Sequence, residues 1–122
     1  MTVSRTLVAA LGAAIVNVGL FALGGVAGAT WATSSPVAPS PGLVALATFV
    51  PMGIVGAIAR ALTASRPRLL RVVPVAGLVF GVAGAPVPFL ASSDLPTSLL
   101  LASMHVVAGL AWFLALRRDA VR

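Results

Sequence analysis

Cysteine is absent from this 122-residue chain, which removes disulfides, thiolate zinc sites, iron–sulfur clusters and cysteine nucleophiles from consideration. Lysine is absent too, so all eight basic residues are arginine, set against two aspartates for a formal charge of +6. That excess does not point to nucleic acid, because no arginine sits among the interleaved aromatic and polar side chains of a base-reading surface. The missing lysine, beside abundant Ala, Val, Gly and Pro, resembles the codon bias of a GC-rich bacterial genome. Charge is scarce altogether: 8% of residues carry it, against about a quarter in a soluble domain. Nothing ionised at neutral pH occurs from Thr6 to Ala59, from Val72 to Ser93 or from Leu95 to Leu116.

What fills those stretches is apolar, and 60% of the chain is hydrophobic. About 20 helical residues cross the roughly 30 Å hydrocarbon core of a bilayer, so the first stretch is long enough to cross twice and the others once each. The expected fold is all-α: a single four-helix transmembrane domain over residues 1–122, with helices at about 6–27, 41–64, 72–90 and 95–116. The breaks have local reasons. Residues 28–42 are rich in Ser, Thr and Pro, as an exposed loop is. Ser40 before Pro41 reads as an N-cap and first helical residue. Pro67 stands in a basic turn, Pro86 is expected to bend or end the third helix, and Asp94 is placed to cap the fourth, whose first turn tolerates Pro96.

The arginines fall in three places: Arg5 before the first span; Arg60, Arg66, Arg68 and Arg71 around the second turn; and Arg117, Arg118 and Arg122 after the last span. With four spans these share one side of the membrane, and by the positive-inside rule that side is cytoplasmic. A multi-pass protein of a bacterial plasma membrane follows, with both termini inside and the arginines as cytoplasmic anchors. Arg5, the first apolar run and Ala27-Gly28-Ala29 also imitate a cleavable signal sequence, but the run exceeds the usual 7 to 15 residues of a signal core; an uncleaved span is expected.

Several residues stand out within the spans. Small residues let membrane helices approach closely, so Gly24 and Gly28 in the first, Gly53 and Gly56 in the second, Gly77, Gly81 and Gly84 in the third and Gly109 in the last are expected to pack helices. Pro51 removes the hydrogen bond to the Ala47 carbonyl and is expected to kink the second helix. Trp31 and Trp112 are expected as interfacial anchors. Asn17 and His105 are the strongly polar side chains near the middle of the first and last spans. Each needs hydrogen bonds there, and pairing with one another is the natural expectation. Interhelical glue is one role for them, a proton-linked or ligand-binding role another. A lone His without a second His or any Cys builds no ordinary metal or haem site, so no cofactor is expected. Asp94 and Asp119 lie on opposite sides of the membrane, and no phosphate loop or serine nucleophile motif exists; the chain reads as non-enzymatic.

The turn Arg66-Pro67-Arg68-Leu69-Leu70-Arg71, the run Gly81-Val82-Ala83-Gly84-Ala85-Pro86 and the segment from Leu101 through Met104-His105 to Gly109 resemble a family of small actinobacterial four-helix membrane proteins classed as a domain of unknown function. The resemblance covers about residues 43–118; it implies a four-span fold in a plasma membrane and no activity. Gly53-x-x-Gly56-Ala57-x-x-Arg60 also resembles a signature of four-helix fluoride channels, yet it falls on the second helix rather than the first, and the other segments of that family are missing. The leading expectation is an accessory or interaction subunit whose partners are the bilayer and a membrane protein or a second copy. The alternatives are a small transporter or channel, or an apolar-ligand-binding protein, using His105.

Overall fold

The computed structural model describes residues 2–120; Arg122 of the basic tail lies outside them. Five α-helices and one 3-10 turn make up the described chain, with no strand among the described residues: α1 (Val3–Val26), α2 (Pro41–Ser65), the 3-10 turn (Pro67–Arg71), α3 (Val73–Gly84), α4 (Val87–Ala91) and α5 (Leu95–Ala120). Four segments are long and apolar enough to cross a membrane: α1, α2, α3 with α4, and α5.

Local chemistry sets the boundaries. The Ser40 hydroxyl accepts from the Leu43 N–H at 3.2 Å, and Pro41 occupies the first helical position, where its missing N–H leaves no bond unmade. Pro67 opens the 3-10 turn and Pro74 the first turn of α3. Pro86 divides the third span into α3 and α4, as a residue without an N–H does inside a helix. Pro51, by contrast, is carried within a continuous α2. Asp94 begins α5: its Oδ2 accepts from the Thr97 N–H at 3.3 Å and from the Thr97 hydroxyl.

The helices lie in the order α2, α1, α5, α3. α1 packs against α2 and α5, α5 packs against α1, α3 and α4, and α2 barely meets α3 although only the 3-10 turn separates them in sequence. The core is built of small side chains closed by a few large ones, Ala10, Ala13, Met52, Ala59, Trp112 and Leu116. Large apolar residues face outward instead, Val8 at 69% and Ile15 at 64% exposure among them. That inversion of the soluble pattern suits a surface solvated by lipid, where close backbone packing holds helices together.

The glycines divide into those that pack and those that do not. A Cβ on Gly81 would lie 2.7 Å from the His105 carbonyl oxygen and 2.8 Å from the Gly109 Cα, so α3 and α5 meet backbone to backbone. Gly77 lies beneath the Trp112 indole, Gly84 beneath the His105 ring, Gly56 beneath Thr6, and Gly24 beneath Trp31 and Leu100. Two expectations need correction. Gly28 follows α1 at φ +81° with open space around it, so it is a turn residue that uses the left-handed region. Gly53 likewise has nothing within 4 Å of a Cβ and packs no helix.

Trp112 departs from the anchor role. The Trp112 indole is buried, donating from Nε1 to the Val73 carbonyl at 2.9 Å. Trp31, at φ 58°, stacks on Phe21 with centroids 4.4 Å apart and donates its backbone N–H to the Thr97 hydroxyl at 3.0 Å. The loop after α1 is thereby pinned to the start of α5, a fixing that Thr30 N–H to Asp94 Oδ2 at 2.9 Å and Ser34 N–H to the Ala91 carbonyl at 2.8 Å extend.

Candidate functional site

Because α2 and α3 diverge, a groove of about 690 Å³ opens between them, with α1 and α5 as its floor. Val44 and Leu101 line it toward one end and Leu62 and Val73 toward the other. Along α2 those limits lie 18 positions apart, about 27 Å at 1.5 Å per residue. The walls are aliphatic or small, with Ala47, Pro51 and Ile58 on one side and Ala76, Phe80 and Gly81 on the other. Four side chains bring polar atoms to it: Asn17, Thr48, His105 and Trp112.

Asn17 is buried at 2% exposure. Its Nδ2 donates to the Thr48 hydroxyl oxygen at 2.9 Å and to the Met104 carbonyl at 3.4 Å, bridging α1 to α2 and α5. The amide orientation follows from chemistry: the Thr48 hydroxyl hydrogen goes to the Val44 carbonyl at 2.8 Å, so both groups facing Nδ2 are acceptors. The Asn17 Oδ1 is then left buried without a hydrogen-bond partner.

Of the pairing expected for Asn17 and His105, direct or through a water, the direct bond is not made. His105 Nδ1 lies 2.8 Å from the carbonyl of Leu101, one turn earlier on its own helix. The ring rests against Gly84 on α3, and the residue is exposed to the groove rather than enclosed in the core. Asn17 and His105 thus share one groove, while the Asn17 Nδ2 and the His105 Nδ1 each bond elsewhere. Thr48 and the Met104 carbonyl are the partners that sequence reasoning missed. Thr48 is legible as one of the few polar residues in the spans, whereas a backbone carbonyl leaves no trace in sequence.

A smaller crevice of about 370 Å³ lies between α1 and α2, lined by Thr6, Gly53, Gly56 and Arg60 among others. The seven described arginines all lie at one end of the bundle, where α1 begins and α2 and α5 finish. Arg60, Arg66, Arg68, Arg71, Arg117 and Arg118 are exposed there, and Arg5 pairs with Asp119 at 2.7 Å. Asp94 occupies the opposite end. No group of three or more His, Cys, Asp or Glu able to hold a metal occurs among the described residues.

Comparison with known families gives one result. Residues 1–122 match a family described as a family of unknown function, DUF6069. No curated protein and no solved structure matches the chain.

Proposed function

Since the chain belongs to the DUF6069 family, whose function is unknown, its role has to be read from its own groove, and we propose that it is a non-enzymatic membrane protein that binds a lipid-like molecule between α2 and α3. The carrying observation is the splay of those two helices, which leaves a long apolar groove along the spans. Its volume falls within the roughly 300–1,000 Å³ usual for small-molecule clefts. A transmembrane helix about 10 Å across and 30 Å long fills about 2,400 Å³, so a partner helix would rest across the mouth rather than occupy the groove. The setting in this reading is a bacterial plasma membrane with both termini cytoplasmic. The arginines at one end of the bundle support that orientation.

Trp112 on the groove floor provides the test. A Trp31→Phe protein keeps Trp112 as its one indole, and in vesicles of phosphatidylcholine with brominated chains the bromine quenches a ring it can reach. The expected result is strong quenching of Trp112 despite its burial, and relief of that quenching by Ala47→Phe or Ala76→Phe, which fill the groove from exposed wall positions. Equal, weak quenching in all three proteins would mean that no lipid chain lies in the groove, and the reading would fall.

A further inference from the structure

The groove offers hydrogen-bond acceptors and no donors. Each side-chain donor that lines it is already directed at the protein: the Thr48 hydroxyl to the Val44 carbonyl, both hydrogens of Asn17 Nδ2 to Thr48 and Met104, and the Trp112 indole to the Val73 carbonyl. His105 follows the same rule. A carbonyl oxygen only accepts, so the contact of Nδ1 with the Leu101 carbonyl requires the hydrogen on Nδ1. In the neutral ring that tautomer leaves Nε2 bare, and Nε2 is an acceptor.

His105 Nε2 is the acceptor that faces the groove. Beneath the floor the Asn17 Oδ1 is buried without a partner and closed off from an occupant, and on the α2 wall Pro51 has no N–H to give the Ala47 carbonyl. A plain hydrocarbon chain leaves Nε2 unsatisfied, and an acceptor without a partner in an apolar setting costs free energy comparable to a lost hydrogen bond. A charged donor would satisfy it at the expense of placing an ion at membrane depth. A neutral hydroxyl avoids both problems.

Resting on the reading of the groove as a lipid-like binding site, we infer that its occupant is a long-chain alcohol whose hydroxyl donates to His105 Nε2. His105 stands ten residues into α5, about 15 Å along its axis and so near the middle of the bilayer. From Thr48 to Leu62 the groove continues for about 21 Å, which gives the tail a path toward the arginine end. The site therefore selects a molecule whose hydroxyl lies at mid-depth, unlike a phospholipid, whose polar groups stay at the surface.

The test adds hexadecanol or hexadecane to the Trp31→Phe protein in brominated vesicles and follows recovery of Trp112 fluorescence. Hexadecanol is expected to act at about five- to tenfold lower mole fraction than hexadecane, the ratio that one hydrogen bond of about 1 kcal/mol supplies. In His105→Phe, at an exposed position that tolerates a ring of similar size, the two compounds should become equal, with circular dichroism reporting that the bundle remains folded. If the lipid quenches Trp112 but alcohol and alkane are equivalent in the parent, the groove binds hydrocarbon without reading a hydroxyl, water serves the acceptors, and this inference fails alone. Persistent discrimination in His105→Phe would likewise overturn it. Absence of quenching by the lipid itself would sink the broader reading as well.

Discussion

Arg5 and Asp119, separated by 114 positions, meet in a 2.7 Å ion pair that ties the first turn of α1 to the last turn of α5. Asp119 is the more sheltered partner, at 11% side-chain exposure against 34% for Arg5. Arg5→Gln and Asp119→Asn should each lower stability in detergent by about 1 kcal/mol, the upper range for pairs that keep contact with solvent. The double variant should lose less than the two losses added together. Strict additivity in thermal melts would show that the two side chains do not act as a pair.

The seam between α3 and α5 should be the least forgiving place in the bundle. Gly81→Leu pushes a side chain into the His105 carbonyl and the Gly109 backbone, neither of which has a flexible end to give way. A loss of about 1–3 kcal/mol is expected for overpacking. Gly53→Ala is the internal control: open space around it and a helical position predict no loss, or a gain of about 0.5–1 kcal/mol. Equal melting of the Gly81→Leu protein and its parent would show that α3 approaches α5 through a different face.

Acid should loosen the end of the bundle that carries Asp94. Hydrogen bonds from the Thr97 hydroxyl first, and from the Thr30 backbone next, hold its carboxyl below the ordinary value of 3.8. A lowered folded-state pKa means that the contribution to stability is full above the unfolded value and is lost as pH falls through the folded one. The loss therefore belongs below about pH 3.8. In a Trp112→Phe protein, Trp31 reports on it, because its backbone is bonded to the same Thr97. Its emission should shift to the red in acid, and Asp94→Asn should show that shifted emission already at neutral pH. An acid transition of unchanged size in Asp94→Asn would assign it to another group.

Orientation can be read with an impermeant thiol reagent, since the chain has no cysteine of its own. Ser35→Cys in intact cells should label from outside and Arg68→Cys only after permeabilisation, as the arginine distribution requires. Labelling of position 68 in intact cells would reverse the topology.

The four spans were legible because crossing a bilayer demands about 20 uncharged, apolar residues and the chain has little else between its arginines. Ser40, Pro86 and Asp94 were legible for a similar reason: each acts on backbone within a turn of itself. Which faces meet was harder to read. Gly53 and Gly56 are indistinguishable by composition and lie one turn apart, yet of the two only Gly56 is in close contact with α1, through Thr6. Periodicity assigns a residue to a face but not the face to a neighbour. A direct bond between Asn17 and His105 was out of reach on the same ground, together with one local fact: the Nδ1 of a helical His can use the carbonyl one turn behind it. The groove itself left no mark in sequence, because it results from two helices not packing.

The helix order α2, α1, α5, α3 has a consequence for biogenesis. α1 with α2 forms one hairpin from adjacent segments, α3 with α5 forms another, and the main seam between them joins α1 to α5, the earliest and latest of the four spans to be synthesised. Each hairpin needs only local contacts and is ready to form soon after its second helix emerges, whereas the α1–α5 seam must wait until α5 has been made. Through that interval the side of α1 that meets α5 stays uncovered, while Asn17 already has Thr48 on α2. The Asn17 amide is then without its Met104 acceptor on α5. Assembly of this protein therefore includes a waiting period for a polar group in the membrane, ended only when the final span arrives.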